Sequence, residues 1–281
     1  MSLAHQDISK EKYAEYEKEL NELMKKTGWE RPIRKYLDDP TIKWKYAKPD
    51  YALADLTYFK GKSQNHKPGS LEYIVQNLVK TWEVEVSHKA EVKQMVTMDL
   101  EKFQVSANNG CPVGPQEYVD KGNYNVIMKD GNELTQKHYD TNCSYTDSDN
   151  TFRNCFPEGF AWEVLKVYSP PPVVAFSWRH WGTFSGEFKS RTGEVIQGKN
   201  KHIEMVGFNI AVAGEDGKLQ DVKVYLDFDD FIGRLAGEIN SKPLHCFEAL
   251  WESFVERDEE EKKEKKSRKK SFFSDIFSCC K

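Results

Sequence analysis

The feature that most constrains the fold is a run of four long β-strand candidates separated by short turns, between Phe160 and Phe228. Their segments are FAWEVLKVYS, PPVVAFSWRHWGTFSGEF, HIEMVGFNIAVA and KLQDVKVYLDF. Strands that follow one another through short turns pair antiparallel. Interior glycines at Gly182, Gly186 and Gly207 mark bulges or close backbone approach. The pattern therefore predicts a strongly bent antiparallel sheet, and a bent sheet that faces helices leaves a concave cavity.

An amphipathic helix before these strands is predicted to cover the sheet. The segment LEYIVQNLVKTWEVEV has apolar residues at i, i+3 and i+4 spacing, and Ser70 before it is a typical N-cap. The stretch 129–150 is polar and loop-like. Two short strands and one short helix are also predicted, over Ala90–Met98, Lys102–Ala107 and Asp149–Phe156.

Composition divides the chain into three zones. Residues 1–68 contain a helix from Ser9 to Lys26 and an irregular arm whose many aromatic rings predict packing on a core, since disordered linkers are poor in rings. Residues 69–237 form the core α+β domain. Residues 238–281 form a charged helical tail, with an apolar stripe that begins at Leu244.

Several classes of protein are disfavoured by composition. The formal net charge of −4 disfavours a nucleic-acid binder, which is normally basic. The sequence contains no run of about 18 apolar residues, so no membrane span is predicted. The first residues lack the apolar region of a signal peptide. The six cysteines show no C-x-x-C spacing and no nearby paired histidines, so reduced thiols are expected. We therefore expect a cytoplasmic protein without a metal or another cofactor.

Three segments carry a resemblance to a known family. GSLEYIVQNLVKTWEVEVSHK, FRNCFPEGFAWEVLKVYSPPPVVAFSWRHWG and DVKVYLDFDDFIGRLAG resemble the plant pathogen-related proteins, in the SnoaL-like branch of the nuclear transport factor two superfamily. The resemblance spans about residues 30 to 237. It implies an α+β fold, with a cone-shaped curved antiparallel sheet, covering helices and a pocket for a small hydrophobic molecule. It assigns no reaction, and it leaves open a homodimer through the sheet face.

An acid–base cyclase or isomerase is the alternative that the resemblance implies. Polyketide cyclases of this superfamily use an Asp near the end of the last strand as the base, and Asp227 is the best match. By alternation Tyr225 and Asp227 share a face, and they point inward if the opposite apolar face packs outside the cavity. The alternative is that Asp227 caps the helix that begins near Asp229.

The supporting histidine departs from the cyclase pattern. Cyclases place it after Gly-Thr, where this chain has Phe184. His180 lies four residues earlier and shares a predicted strand face with Trp178, so it is the substitute candidate. The alternative is a histidine that is simply hydrogen-bonded near the core.

A ring-rich pocket wall is predicted to bind a flat apolar ligand. Its candidate residues are Trp82, Trp162, Trp178, Arg179, Trp181 and Phe184. Ordinary core packing of these rings is the alternative. Arg179 can contact a ligand anion, pair with Glu163 or Glu187, or stack on Trp181.

The tail has the ingredients of a peripheral membrane anchor. Lys262–Lys270 contains seven Lys or Arg and one Glu, and apolar residues and the pair Cys279 and Cys280 follow. Each basic residue near an anionic membrane surface contributes about 1 kcal/mol, and lipidation of the cysteines would supply a second signal. The alternative is a solvated tail with two inert thiols.

Fractionation of cells that express the full chain tests the anchor. The anchor predicts the unmodified chain in the membrane fraction and a Cys279→Ser, Cys280→Ser double variant in the soluble fraction, because a polybasic patch alone holds a protein only weakly. Equal solubility of the two proteins would contradict the anchor.

Overall fold

The four predicted long strands form most of a five-stranded sheet in the computed structural model, which describes residues 9–240. All of these residues belong to one compact unit. The strands are β1 Gln104–Ala107, β2 Phe160–Val167, β3 Val173–Phe184, β4 Glu187–Lys189, β5 Val195–Gln197, β6 Lys201–Ala213 and β7 Leu219–Tyr225. The large sheet has the order β1-β7-β6-β3-β2, and β4 pairs with β5 in a small separate sheet. The predicted α+β class is confirmed.

The sheet is not purely antiparallel. Strands β2, β3, β6 and β7 pair antiparallel, as their short connections predict, whereas β1 pairs parallel with β7. A long stretch of chain separates β1 from β7, and only such long connections allow parallel pairing. Bulges interrupt the β2–β3 pairing after Val164 and the β6–β7 pairing after Val212.

Two strand predictions were wrong in extent. The predicted strand that runs through Phe188 ends at Phe184, because Gly186 turns the chain against the end of a helix, where its N–H donates to the Cys155 carbonyl (3.4 Å). Residues 90–98 form no strand apart from one isolated bridge at Met98, and they contain a single 3-10 turn at Val92–Gln94.

Eight α-helices accompany the strands in the described part of the chain. They are α1 Lys10–Thr27, α2 Ala52–Gly61, α3 Leu71–His88, α4 Pro115–Lys121, α5 Asn123–Ile127, α6 Glu133–His138, α7 Tyr145–Cys155 and α8 Phe228–Leu235. Ser9 and Ser70 cap α1 and α3 as predicted, and each hydroxyl accepts a backbone N–H. The stretches predicted as irregular arm and polar loop contain α2 and α6. None of the helices within residues 9–240 is long and apolar enough to cross a membrane.

The N-terminal residues are held on the core by rings and by one buried carboxylate. Leu20 of α1 and Phe59 of α2 pack in one apolar cluster with Trp181 of β3. Glu163 is fully buried, and it accepts hydrogen bonds from the Ser63 hydroxyl (2.8 Å) and from the backbone N–H groups of Ser63 and Gln64. The tail calls, which include the helix from Leu244, the segment Lys262–Lys270, Cys279 and Cys280, lie outside the described residues.

Gly207 of β6 allows the closest packing inside the sheet. It is the cross-strand partner of Trp178, and a Cβ at Gly207 would lie 2.2 Å from Cζ2 of that indole. The indole cannot easily move, because its N–H donates to Oδ1 of Asn209 at 2.7 Å. A glycine is therefore required where this ring lies across the strand.

A double-mutant cycle tests this contact. We expect Gly207→Ala to lower the free energy of unfolding by about 1 to 3 kcal/mol, the usual range for overpacking. The cost should be smaller in a Trp178→Phe background, since phenylalanine lacks the atoms that the new methyl group would meet. Urea denaturation of the four proteins measures both costs, and equal costs in the two backgrounds would contradict this explanation.

Candidate functional site

A cavity of about 770 Å³ lies between α3 and α5 on one side and strands β2, β3, β6 and β7 on the other. Its volume is within the usual range for small-molecule sites. Nine Phe, Tyr and Trp side chains line it, those of Tyr36, Tyr51, Tyr73, Trp82, Tyr124, Phe160, Trp162, Phe176 and Trp178. Leu71 and Ile74 also line it and are 38% and 53% exposed, so the cavity opens to solvent near the start of α3.

The alternation of β3 decides which of its residues reach the cavity. Its inward face carries four lining residues, Val174, Phe176, Trp178 and His180, and the prediction that they share a face is confirmed. Trp162 of β2 is the cross-strand partner of His180 and lines the cavity as well. Trp82 reaches it from α3 and stacks on Tyr118 with ring centroids 5.7 Å apart. Three of the predicted pocket residues therefore lie on the cavity, and ligand binding by them stays a prediction.

Arg179 and Trp181 do not line the cavity, because alternation turns them to the opposite face of β3. The guanidinium of Arg179 lies 2.8 Å from Oε1 of Glu163 and 4.1 Å from the ring centroid of Trp181. The predicted pairing with Glu163 and stacking on Trp181 are confirmed. Both residues attach the N-terminal segment to the sheet, which corrects their assignment to the pocket.

Phe184 also lies outside the cavity lining, although it is on the inward face of β3 by parity. Its side chain is 2% exposed, and its ring centroid is 6.2 Å from that of Phe156. Phe156 in turn stacks on Phe160, which lines the cavity. Phe184 therefore belongs to the aromatic core that fills the sheet interior beyond the cavity.

Asp227 caps a helix and is exposed, away from the cavity. Its carboxylate accepts the backbone N–H of Asp230 at 2.9 Å, at the start of α8. Tyr225 donates its hydroxyl to Oδ1 of Asn109 at 3.0 Å and does not line the cavity either. Of the two alternatives for Asp227, helix capping is confirmed and the inward direction that it would share with Tyr225 is wrong. The structure does not bring these two residues together with His180.

The opposite face of β7 is the one that lines the cavity. Val222, Val224 and Leu226 are lining residues, and both valines are buried. The cavity wall is apolar, so burying the valines and leucine there is favourable, whereas burying unpaired polar groups would be costly. Alternation then turns Tyr225 and Asp227 toward solvent.

His180 is the one predicted catalytic residue that lines the cavity. Its Nδ1 is 2.7 Å from the Ala161 carbonyl, which only accepts, so Nδ1 carries the proton and Nε2 is left as an acceptor. The imidazole stacks on Phe160 with centroids 3.7 Å apart. Burial lowers the pKa of His180 well below its usual range. His180 is therefore neutral at pH 7 and offers a hydrogen-bond acceptor rather than a charge.

Lys80 of α3 lines the cavity and was not singled out from the sequence. Its side chain is 8% exposed, and Nζ lies 5.0 Å from the ring centroid of Tyr58 and 5.8 Å from that of Trp162. Burial lowers the pKa of Lys80 to about 8. A helical pattern alone could not identify it, because Lys80 borders the apolar stripe and long lysine side chains commonly reach from such positions to water.

The described residues contain no group of three or more His, Cys, Asp or Glu side chains that could hold a metal ion. The polar groups at the cavity therefore act as single donors and acceptors. The charged groups that line the cavity are Lys80, the guanidinium of Arg34, which pairs with Asp55, the carboxylate of Glu83, and the exposed Lys35, Glu215, Asp216 and Lys218. The neutral polar groups include the imidazole of His180 and the amide of Asn209, which is already bonded to Trp178.

Comparison with known proteins identifies one clear relative in sequence. Over 193 residues the chain is 31% identical to a protein of Hordeum vulgare described as "Pathogen-related protein", a match that covers 67% of this chain and 80% of the relative. No family model matches the chain.

Solved structures show a weaker likeness. A putative SnoaL-like polyketide cyclase from Jannaschia sp. CCS1 aligns with a TM-score of 0.35 at 12% identity, covering 64% of this chain and 100% of that one. A putative polyketide cyclase from Acidithiobacillus ferrooxidans aligns with a TM-score of 0.33 at 11% identity, covering 62% and 100%.

Substitution of Asp227 tests its capping position. We expect Asp227→Ala to lower the free energy of unfolding by about 1 kcal/mol, the usual cost of a lost N-cap, and Asp227→Asn to change it little, because asparagine caps equally well. Denaturant unfolding followed by tryptophan fluorescence gives both values. An asparagine variant that is as destabilised as the alanine variant would argue against capping.

Proposed function

The chain belongs to the pathogen-related protein family, and we propose that it binds a small, flat, apolar molecule in the cavity between α3 and the sheet. The observation that carries this proposal is the space of about 770 Å³ that nine aromatic side chains surround and leave unfilled. Protein interiors are close-packed and contain few voids larger than a water molecule. A wide apolar cavity that opens to solvent is therefore best explained by a ligand that occupies it.

The cavity has a means of entry and a wall that suits flat molecules. Leu71 and Ile74 are exposed at its opening, and the turn 214–218 that joins β6 to β7 also lines it. The ring centroids of Trp162 and Trp178 are 6.3 Å apart, with an interplanar angle of 34°. The rings of Trp162 and Phe176 meet edge to face. Rings in these arrangements present both faces and edges, so an aromatic ligand can stack against one and meet the edge of another.

The acid–base alternative receives less support. It needs a carboxylate base in the cavity, and its candidate Asp227 caps α8 at the surface. His180 reaches the cavity with one nitrogen already bonded to the Ala161 carbonyl. We therefore propose binding without an assigned reaction. Membrane attachment through Lys262–Lys270, Cys279 and Cys280 and a homodimer stay predictions from the sequence.

A variant that fills the cavity tests the binding site. Ala211 of β6 lines the cavity, and both of its cross-strand partners, Val174 and Val222, line it too. We expect Ala211→Phe to weaken binding of a neutral fluorescent probe, the methyl ester of an anthracene carboxylic acid, by about tenfold or more, because the new ring occupies the space that the probe needs. Fluorescence titration of the purified full chain measures the dissociation constant.

The adjacent residue supplies a matched control. Ile210 points to the other face of β6, opposite Ala175 and Lys223, and does not line the cavity. Ile210→Phe should therefore bind the ester as the unmodified protein does. Equal binding by all three proteins would place the probe elsewhere, and no binding by the unmodified protein would contradict the proposed site.

A further inference from the structure

Buried cations in the described part of the chain are paired with carboxylates, with one exception. Lys89 lies 2.8 Å from Glu85, Arg34 lies 2.6 Å from Asp55, and Arg234 lies 2.6 Å from Asp230. Buried Arg153 is likewise bonded to Asp149. Within residues 9–240, Lys80 has neither a hydrogen-bond acceptor nor a carboxylate within ion-pair distance.

The nearest carboxylates are already engaged by other groups. Asp55 accepts hydrogen bonds from both terminal nitrogens of Arg34. Glu83 accepts the hydroxyl of Tyr51 through Oε2, and its Oε1, which accepts no hydrogen bond, lies 3.8 Å from Nε2 of His88. Glu163 binds Arg179 and the backbone near Ser63. These acids act on Lys80 only over distances beyond an ion pair, and the positive charge of Arg34 opposes them.

The aromatic neighbours of Lys80 compensate its charge only in part. Nζ is 5.0 Å from the centroid of Tyr58 and 5.8 Å from that of Trp162, at the outer limit of cation–π contact. Burying an ammonium group without a hydrogen-bond acceptor is costly, and rings accept weakly. The protein therefore holds an ammonium group at the cavity wall whose hydrogen-bonding capacity is unused.

The ammonium group of Lys80 lies close enough to His180 for its charge to act on that imidazole. Lys80 and Trp162 both line the cavity, and Trp162 is the cross-strand partner of His180. The charge of Lys80 acts on His180, which is one cause of the low pKa of that imidazole. Since His180 is neutral, it does not supply the missing negative charge.

We propose, on the basis of the binding function above, that the cavity selects an apolar carboxylic acid whose carboxylate pairs with Lys80 Nζ while its apolar body lies among the tryptophans. The ligand carboxylate would take the place of the Asp or Glu side chain that pairs with each of the other buried cations. Burial lowers the pKa of Lys80 to about 8, so most molecules carry the ammonium form at pH 7 and can bind an anion. Imine formation would require the neutral amine, which is the minor form at that pH.

A matched pair of probes separates charge from shape. The probes are an anthracene carboxylic acid and its methyl ester, which share the flat apolar body and differ in the negative charge. The variant is Lys80→Met, which keeps most of the side-chain length and removes the charge. We expect the variant to bind the acid about tenfold more weakly than the unmodified protein does, and the ester within about twofold, because one charge-assisted hydrogen bond is lost.

A second lysine provides the control substitution. Lys166 lies on β2 and is exposed, so Lys166→Met changes the net charge equally while the cavity stays as it is. It should bind both probes as the unmodified protein does. A loss of acid binding in both variants would assign the effect to net charge and overturn the proposal.

The pH dependence of the unmodified protein tests the proposal without any substitution. Charged or titratable groups around Lys80 are Arg34, Asp55, Tyr58, Glu83, Glu163 and His180. Burial raises the pKa of Tyr58 to about 12 and holds that of His180 well below its usual range, so neither changes charge between pH 7 and 10. The folded pKa of Lys80 is depressed, so its positive charge is present below about 8 and is lost as the pH rises through that value.

We therefore expect binding of the acid to weaken about tenfold from pH 7 to pH 10, with the ester unchanged and with no such dependence in Lys80→Met. Lys45, whose pKa burial also lowers to about 8, remains in that variant and serves as an internal control. Binding of both probes with equal affinity in both proteins would overturn the role of Lys80 and leave the cavity site standing. Failure of the acid alone to bind would also overturn the role of Lys80, and failure of both probes would overturn the binding function itself.

Discussion

The pairing of β3 with β6 is the constraint on which the rest of the structure depends. The two strands are in register from Val173 opposite Val212 to Phe184 opposite Lys201. This pairing fixes the direction of every side chain on both strands, because a shift of one residue would turn each of them to the other face. The indole of Trp178 lies across Gly207, and its N–H bonds to Asn209, so ring and strand fit in one register. The cavity wall follows from that register.

Buried charge has two uses in this fold. Fully buried Glu85 and Glu163 accept several hydrogen bonds each, and they join distant parts of the chain: Glu85 binds Lys89 and Thr97, and Glu163 binds Ser63 and Arg179. Removing one partner of such a group leaves a buried charge uncompensated, which typically costs about 3 to 5 kcal/mol. Lys80 differs because its charge borders a cavity and joins no two parts of the fold. We therefore assign Lys80 to ligand binding rather than to holding the fold together.

The cavity combines a large apolar surface with a smaller polar one, in which Lys80 is the buried cation without a carboxylate partner. Its rings can contribute most of the affinity for a flat ligand, while Lys80 and the acceptor nitrogen of His180 can orient it. A buried cation without a carboxylate partner also discriminates well, since a neutral analogue would leave the ammonium group without its partner. Asp227, which the cyclase resemblance placed in the pocket, instead stabilises the start of α8. The family resemblance identified the chain correctly and misplaced its carboxylate.

Local sequence determined the parts of this protein that depend on local physics. Ser9 and Ser70 predicted two helix starts, because a cap needs only its own hydroxyl and the next turn. The period of two predicted that Trp178 and His180 share a face. Alternation divides a strand into two faces without saying which one is inside. The direction of Asp227 was decided by the opposite, apolar face of β7, which lines the cavity. The parallel β1–β7 pair and the isolation of Lys80 were likewise decided by tertiary structure, because both depend on groups that are distant in the chain and become neighbours only when it folds.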